Sequence, residues 1–241
     1  MVGAQRSGTT YLYHMLDEHP EVCMAKPVFP EPKYFLSKNA PDQLSFYEEK
    51  FYAHADQRTL IFGEKSTSYY ESHEVAARLK RAYPESAIVF MLRNPVDRAI
   101  SNYRYSVMNG LETRSLREVF LKNNPPPGRP SHLSTDPFQY IDRSDYLKFI
   151  QKYLQHFNRS KVLILVLENL ANNAKAIQEV YRYLEVDDKY IPADLSKIIN
   201  PIEENDLEDD DEVQRKLYSV FEEKVQALEE YLAMDLSVWK K

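Results

Sequence analysis

A single cysteine, Cys23, in 241 residues rules out an internal disulfide, which leans towards a reducing compartment or at least a core that needs no covalent staple. Long apolar runs are missing too: no stretch reaches the ~18 residues of a membrane-spanning helix. Positive charge is not in excess. Thirty-one Lys and Arg stand against thirty-seven Asp and Glu, and the formal charge of −6 argues against a protein that coats nucleic acid through an overall positive field. No internal repeat or heptad array is visible. Met1 and Val2 lead straight into a glycine-containing loop with no leader before it. A native start and a trimmed chain that has lost an anchor read alike, so a cytoplasmic location is an expectation only.

What is present, 43% hydrophobic and 28% charged residues, fits one soluble globular domain spanning 1–241. Three short apolar runs, Leu60 to Phe62, Ala87 to Leu92 and Val162 to Leu167, read as buried strands. Helical patterns cover Thr9 to Glu18, His73 to Tyr83, Val96 to Asn109, Asp145 to Phe157, Asn172 to Leu184 and Glu212 to Leu232. Alternation of strand and helix predicts an α/β, P-loop-like three-layer fold, with a central, mainly parallel sheet flanked by helices. The last helix, with Val213, Leu217, Val220, Phe221, Val225, Leu228 and Leu232 on one stripe, is expected to pack on that sheet.

Two segments break the pattern. Asn123 to Pro137 holds five prolines and reads as a surface loop near a substrate mouth or as a disordered loop. Glu203 to Glu212 is acidic at eight of ten positions and precedes a helix, where negative charge is stabilising.

Gly3-Ala4-Gln5-Arg6-Ser7-Gly8-Thr9-Thr10 has the glycine spacing of a phosphate loop and runs at once into a helical pattern, so loop amides and a helix amino terminus can converge on an anion. The lysine of a Walker A motif is missing: Thr9 follows the second glycine, and the nearest cation is Arg6. The carboxylate that would organise magnesium is missing as well, because the strand Ala87 to Leu92 runs into Arg93-Asn94-Pro95. Such a loop is expected to hold a phosphate-like group without a metal; an ordinary strand-to-helix turn is the plainer alternative. Arg93 at the strand's carboxyl end and Ser101 two turns into the next helix suit a second phosphate, or serve as a salt-bridging residue and a packed helix serine.

Together these residues resemble the sulfotransferases that use 3′-phosphoadenosine 5′-phosphosulfate, PAPS. Gln5 through Thr10 is similar to their 5′-phosphosulfate loop, and Arg93-Asn94-Pro95 through Ser101-Asn102-Tyr103 to their 3′-phosphate motif. Pro30-Glu31-Pro32-Lys33-Tyr34-Phe35 resembles the segment carrying the catalytic glutamate in the heparan sulfate branch and its bacterial relatives, and Glu64-Lys65-Ser66-Thr67-Ser68-Tyr69-Tyr70 resembles that branch's strand end. Val166-Leu167-Glu168-Asn169-Leu170 and Asp235-Leu236-Ser237-Val238-Trp239 are similar to a later strand and to the tail of many bacterial members. Two departures stand out. Where the family commonly has a basic segment that closes over the donor, this chain has Asn200-Pro201-Ile202 and then the acidic run; the cysteine pair that many Golgi-resident members bridge is missing, which favours a bacterial-type intracellular member.

The resemblance implies in-line transfer of a sulfuryl group from PAPS to an acceptor hydroxyl, of a saccharide first and of a lipid or polyketide-like molecule second, without a metal. It assigns Glu31 as base, Arg6 and Lys65 to the leaving oxygen, Gln5, Arg6, Ser7, Gly8, Thr9 and Thr10 to the 5′ side of the donor, and Arg93 and Ser101 to its 3′-phosphate. Each has a rival. Glu31 also suits a solvent-facing turn, Lys65 a pair with Glu64 or Glu71, and His14 is an alternative base. A P-loop kinase needs the lysine and magnesium carboxylate that are missing; a catalytically silent nucleotide-binding scaffold fits the altered late segment.

Overall fold

The computed structural model of the chain describes residues 1–122, 124–128, 130–131, 133–196 and 210–240. Asn200-Pro201-Ile202 and positions 203–209 of the acidic run lie outside the described residues, as do Asn123, Arg129 and His132 of the proline-rich segment. The strands are β1 (Val22–Met24), β2 (Ile61–Gly63), β3 (Ile88–Leu92) and β4 (Val162–Val166). The helices are α1 (Thr9–Asp17), α2 (Leu44–Tyr52), α3 (His73–Ala82), α4 (Pro95–Met108), α5 (Leu116–Phe120), α6 (Tyr146–Leu154), α7 (Leu167–Leu170), α8 (Ala174–Tyr183) and α9 (Asp211–Leu232). They fall into two compact units, Met1–Leu92 with Ile150–Asn200, and Arg93–Phe149 with Pro201–Lys241.

Among the described residues of the first unit every ladder is parallel. β1 pairs with β2 from Val22↔Ile61 to Met24↔Gly63, and β3 with β4 from Ile88↔Val162 to Leu92↔Val166. Residues 1–4 run between the two pairs. The Ser66 amide donates to the Met1 carbonyl at 3.1 Å on one side, and the amides of Val2 and Ala4 donate to the carbonyls of Val89 and Met91 at 3.0 and 2.8 Å on the other. All five residues of β3 are buried, as a strand covered on both faces requires. Val89 and Met91 face Leu12, Met15 and Leu16 of α1 and Ile177, Val180 and Tyr181 of α8. Phe90 points the other way, its ring 5.2 Å from Tyr153 of α6 and 6.2 Å from Tyr70. This is the layered α/β arrangement expected from the alternation of elements.

The second unit is helical among the described residues. Asn94 caps α4 through its side chain, which accepts from the Val96 amide at 3.0 Å, and Pro95 takes the first helical position. Val96, Ala99, Ile100 and Tyr103 of α4 pack with Phe120 of α5 and with Val213, Leu217 and Phe221 of α9. The apolar stripe of α9 thus meets α4 and α5, where the sequence reading placed a sheet; its own unit offers helical faces to bury it. At the far end of the chain the buried Trp239 ring lies 5.9 Å from Tyr146, and its carbonyl accepts from the Asn94 side-chain amide at 3.3 Å.

A charge pair between half-buried Arg114 and buried Glu112 braces this unit. Arg114 donates to Glu112 at 2.7 Å, and the Tyr140 hydroxyl donates to the same carboxylate at 2.9 Å. Burial alone pushes the Glu112 carboxyl up; the donors, Arg114 first, outweigh it and hold the group below its ordinary value. A depressed carboxylate contributes stability above its unfolded value and loses it as pH falls through the folded one. Glu112→Gln is therefore expected to cost roughly 1–3 kcal/mol at pH 7. The difference from the wild type should vanish in urea titrations at a pH low enough to protonate Glu112; a gap that persists there would show that the carboxylate's charge is not what matters.

Candidate active site

The turn at residues 3–10 starts where Gly3 bridges to Phe90 of β3 and ends where α1 begins. A Cβ on Gly3 would lie 2.7 Å from the Tyr70 Cβ, so the strand end sits against that ring only because the side chain is missing. Arg6 has φ 69° and Gly8 φ 78°, both left-handed. Gly8 is the residue before α1 and gives it no side-chain cap, so the first amides of α1 are left for another acceptor. Ser7 is fully buried, and its hydroxyl has no hydrogen-bond partner among the described residues. A buried, unpartnered hydroxyl beside an uncapped helix start is a fitting receptacle for an anion.

Glu31 reaches this turn through Lys65. The Lys65 side chain is 2% exposed; its Nζ lies 3.0 Å from Glu31 Oε1 and donates to Thr10 Oγ1 at 3.4 Å. The Phe29 ring covers it, with its centroid 4.5 Å from Nζ. Thr67 holds the same carboxylate: its amide donates to Glu31 Oε2 at 2.9 Å, and its hydroxyl lies 3.1 and 3.0 Å from Oε1 and Oε2. The loop carrying Glu31 is stitched to the segment after β2 at two further points, from the Lys33 amide to Ser66 Oγ at 2.8 Å and from the Phe35 amide to the Tyr69 hydroxyl at 2.9 Å.

Lys65 therefore pairs with Glu31, and not with either acid weighed from sequence. Glu64 Oε2 instead accepts from the Tyr47 hydroxyl at 2.5 Å, and Tyr47 meets the Tyr52 hydroxyl at 2.9 Å. Burial first, and the Glu64 carboxylate second, push both phenols well above their ordinary value, so they remain neutral donors. The carbonyl of Glu71 accepts from Lys152 at 3.1 Å.

Gln5, Arg6, Ser7, Gly8, Thr9 and Thr10 form one continuous turn, and Glu31 and Lys65 converge on its Thr10 end. His14 lies in the second turn of α1 with its ring 5.5 Å from Tyr13, edge to face. Arg93 and Ser101 belong to the second unit. Arg93 directly follows β3, with its carbonyl accepting from the Tyr146 hydroxyl at 2.6 Å, and Ser101 is buried on α4. Two residues at the site went unassigned in the sequence: Thr67, named only as part of a motif, and Phe29, which lies two positions before Glu31.

The profile of the sulfotransferase domain family matches residues 1–224. The chain belongs to the sulfotransferase family. Human bifunctional heparan sulfate N-deacetylase/N-sulfotransferase 2 is 25% identical over 190 residues, 77% of this chain and 22% of that protein. The mouse bifunctional heparan sulfate N-deacetylase/N-sulfotransferase 4 is 27% identical over 198 residues, 79% of this chain and 22% of that protein. The chain thus spans about a fifth of the length of these curated relatives. A crystal structure of a sulfotransferase from Alicyclobacillus acidocaldarius superposes with a TM-score of 0.78 at 25% identity, covering 100% of this chain and 97% of that one.

In this member of the family the turn ahead of α1 depends on glycine at position 8 for two reasons that can be separated. The left-handed backbone costs a residue with a Cβ roughly 1–2 kcal/mol, and a Cβ there would lie 2.5 Å from Leu167 Cδ1. Gly8→Ala is expected to lower stability in denaturant titrations by that backbone cost or more. Adding Leu167→Ala should remove only the crowding part, which a double-mutant cycle reads as a double variant costing less than the sum of the two single changes. A Gly8→Ala protein as stable as the wild type would sink this account of the turn.

Proposed function

We propose that this sulfotransferase transfers a sulfuryl group from PAPS to a hydroxyl of a saccharide, with Glu31 as the general base. The observation that carries this reading is the buried ammonium of Lys65, which lies 3.0 Å from Glu31 and 3.4 Å from Thr10 and so ties a carboxylate base to an anion-receiving turn. Transfer at sulfur asks the protein mainly to align the acceptor and to stabilise negative charge on the leaving oxygen. PAPS supplies the activated sulfuryl group. Arg6, Lys65 and the amides of Ser7 to Thr10 carry the leaving-group role, and Glu31 takes the acceptor's proton. The buried, unpartnered Ser7 hydroxyl fits an anionic donor in this turn. No carboxylate follows β3, where the chain reads Arg93-Asn94-Pro95, which supports transfer without a metal. The family match runs through both units, in support of one domain over 1–241.

The saccharide assignment rests on the heparan sulfate relatives. Because their names specify N-sulfotransferase, an amino group on a saccharide is the second acceptor class, and Glu31 would take its proton in the same way.

Glu31→Gln keeps the size and most of the hydrogen bonding of the side chain but removes its basicity. Turnover is expected to fall about 10²–10⁴-fold, with affinity for adenosine 3′,5′-bisphosphate retained and a more acidic acceptor recovering part of the rate. Lys65→Ala and Arg6→Ala should slow turnover with little such recovery. If Glu31→Gln matches the wild type with a simple alcohol, the base lies elsewhere and His14 becomes the residue to test.

Arg93 and Ser101 are proposed to recognise the 3′-phosphate. Arg93→Ala and Ser101→Ala should each weaken binding of adenosine 3′,5′-bisphosphate by roughly 1.5–3 kcal/mol, one to two decades, and leave adenosine 5′-phosphate much less affected. Calorimetric titrations with both nucleotides decide the point; equal losses for the two would remove the assignment.

A further inference from the structure

We infer that Thr67 is a positioning residue for the base, holding the Glu31 carboxylate by two donors of its own so that one acceptor position is left for the incoming substrate group; the inference rests on Glu31 acting as the base. Glu31 lies on a loop whose preceding residues, Phe29 and Pro30, are exposed, so its orientation has to come from outside that loop. A carboxylate offers about four acceptor positions. Lys65 Nζ at 3.0 Å, the Thr67 amide at 2.9 Å and the Thr67 hydroxyl at 3.1 and 3.0 Å fill three of them. The hydroxyl sits astride both oxygens and fixes the rotation of the group, which a single donor does not do.

Lys65 is a poor candidate for this task because it has a second obligation. Its ammonium also donates to Thr10 at 3.4 Å, and in the proposed reaction it turns to the leaving oxygen. When it does so, Thr67 alone keeps the carboxylate aimed. The platform is firm. Thr67 opens a tight helical turn, Thr67–Tyr69, next to the fully buried Ser66, and the Tyr153 hydroxyl donates to the Tyr69 carbonyl at 2.8 Å. Thr67 itself is 6% exposed, so valine, of nearly the same shape, can replace it with only the hydroxyl lost.

The test is a cycle of four proteins, wild type, Thr67→Val, Glu31→Gln and the double variant, with Thr67→Ser as the conservative control. Misplacing a reacting group by about 1 Å costs on the order of 10²-fold. Thr67→Val is therefore expected to lower kcat about 10- to 100-fold, with unchanged acceptor KM, unchanged affinity for adenosine 3′,5′-bisphosphate and unchanged melting temperature. Thr67→Ser should restore the rate. In the Glu31→Gln background, Thr67→Val should slow turnover no further, because there is no base left to aim; a merely structural role would slow both backgrounds alike. Should Thr67→Val fail to fold, Thr67→Ala enters the same cycle. Full kcat in Thr67→Val alongside a crippled Glu31→Gln overturns the positioning role and leaves the base standing. Equal losses in the two backgrounds overturn it as well, and a fully active Glu31→Gln overturns the base and the positioning role together.

Discussion

The site is organised around the cost of placing one ammonium, that of Lys65, almost entirely out of water. A charge so buried is tolerated only when it is paired and hydrogen-bonded. Here Glu31 neutralises it, Thr10 accepts from it and the Phe29 ring shields it. Three stretches of chain that are far apart in sequence, around residues 10, 31 and 65, are thereby fixed to one another. The loop holding Glu31 has little apolar surface to bury near that residue, so these polar contacts and the stitches from Lys33 and Phe35 take the place of packing. Removing one member of the pair would strand the other charge in a dry setting, so the same contact serves the fold and the chemistry.

The sheet under the site is what makes such a short turn usable. Residues 1–4 lie in register beside β3, and the chain then leaves the sheet and enters α1 within a few residues. The left-handed Arg6 and Gly8 accomplish that change of direction. α1 is anchored through Leu12, Met15 and Leu16 in the same apolar cluster as β3 and α8, so its amino terminus is a fixed feature of the core. Electrostatic stabilisation works best from dipoles that do not have to reorganise, and an anchored helix start meets that condition.

Much of this is legible in the sequence. The five-residue apolar run of β3 and the spacing of α1, α4 and α8 lie within a residue or two of their expected positions, because burying one face of an element, against a sheet or against other helices, imposes a strict periodicity. β1 escaped notice because its three residues hold a single β-branched or aromatic side chain, Val22, where the equally short β2 has both Ile61 and Phe62. The partner of α9 could not be read either: an apolar stripe announces that a face is buried but not against what. The pairing of Glu31 with Lys65 was of the same kind. A contact across thirty-four positions leaves no local trace, and only the likeness of two motifs to a known family brought both residues forward. Thr67 stayed silent because a threonine near a turn is unremarkable until its hydroxyl is seen lying between two carboxylate oxygens.

The chain contains one tryptophan, and its surroundings make it a natural optical probe. Trp239 lies against Tyr146, the same tyrosine whose hydroxyl binds the Arg93 carbonyl, and its own carbonyl is held by Asn94. Two neighbouring residues at the start of α4 are thus tied through separate hydrogen bonds to the main chain of the tryptophan and to the tyrosine beside its ring. Emission excited beyond the absorption of the eighteen tyrosines is accordingly a local signal from the Arg93–Asn94 corner, one that can be followed in real time without any label.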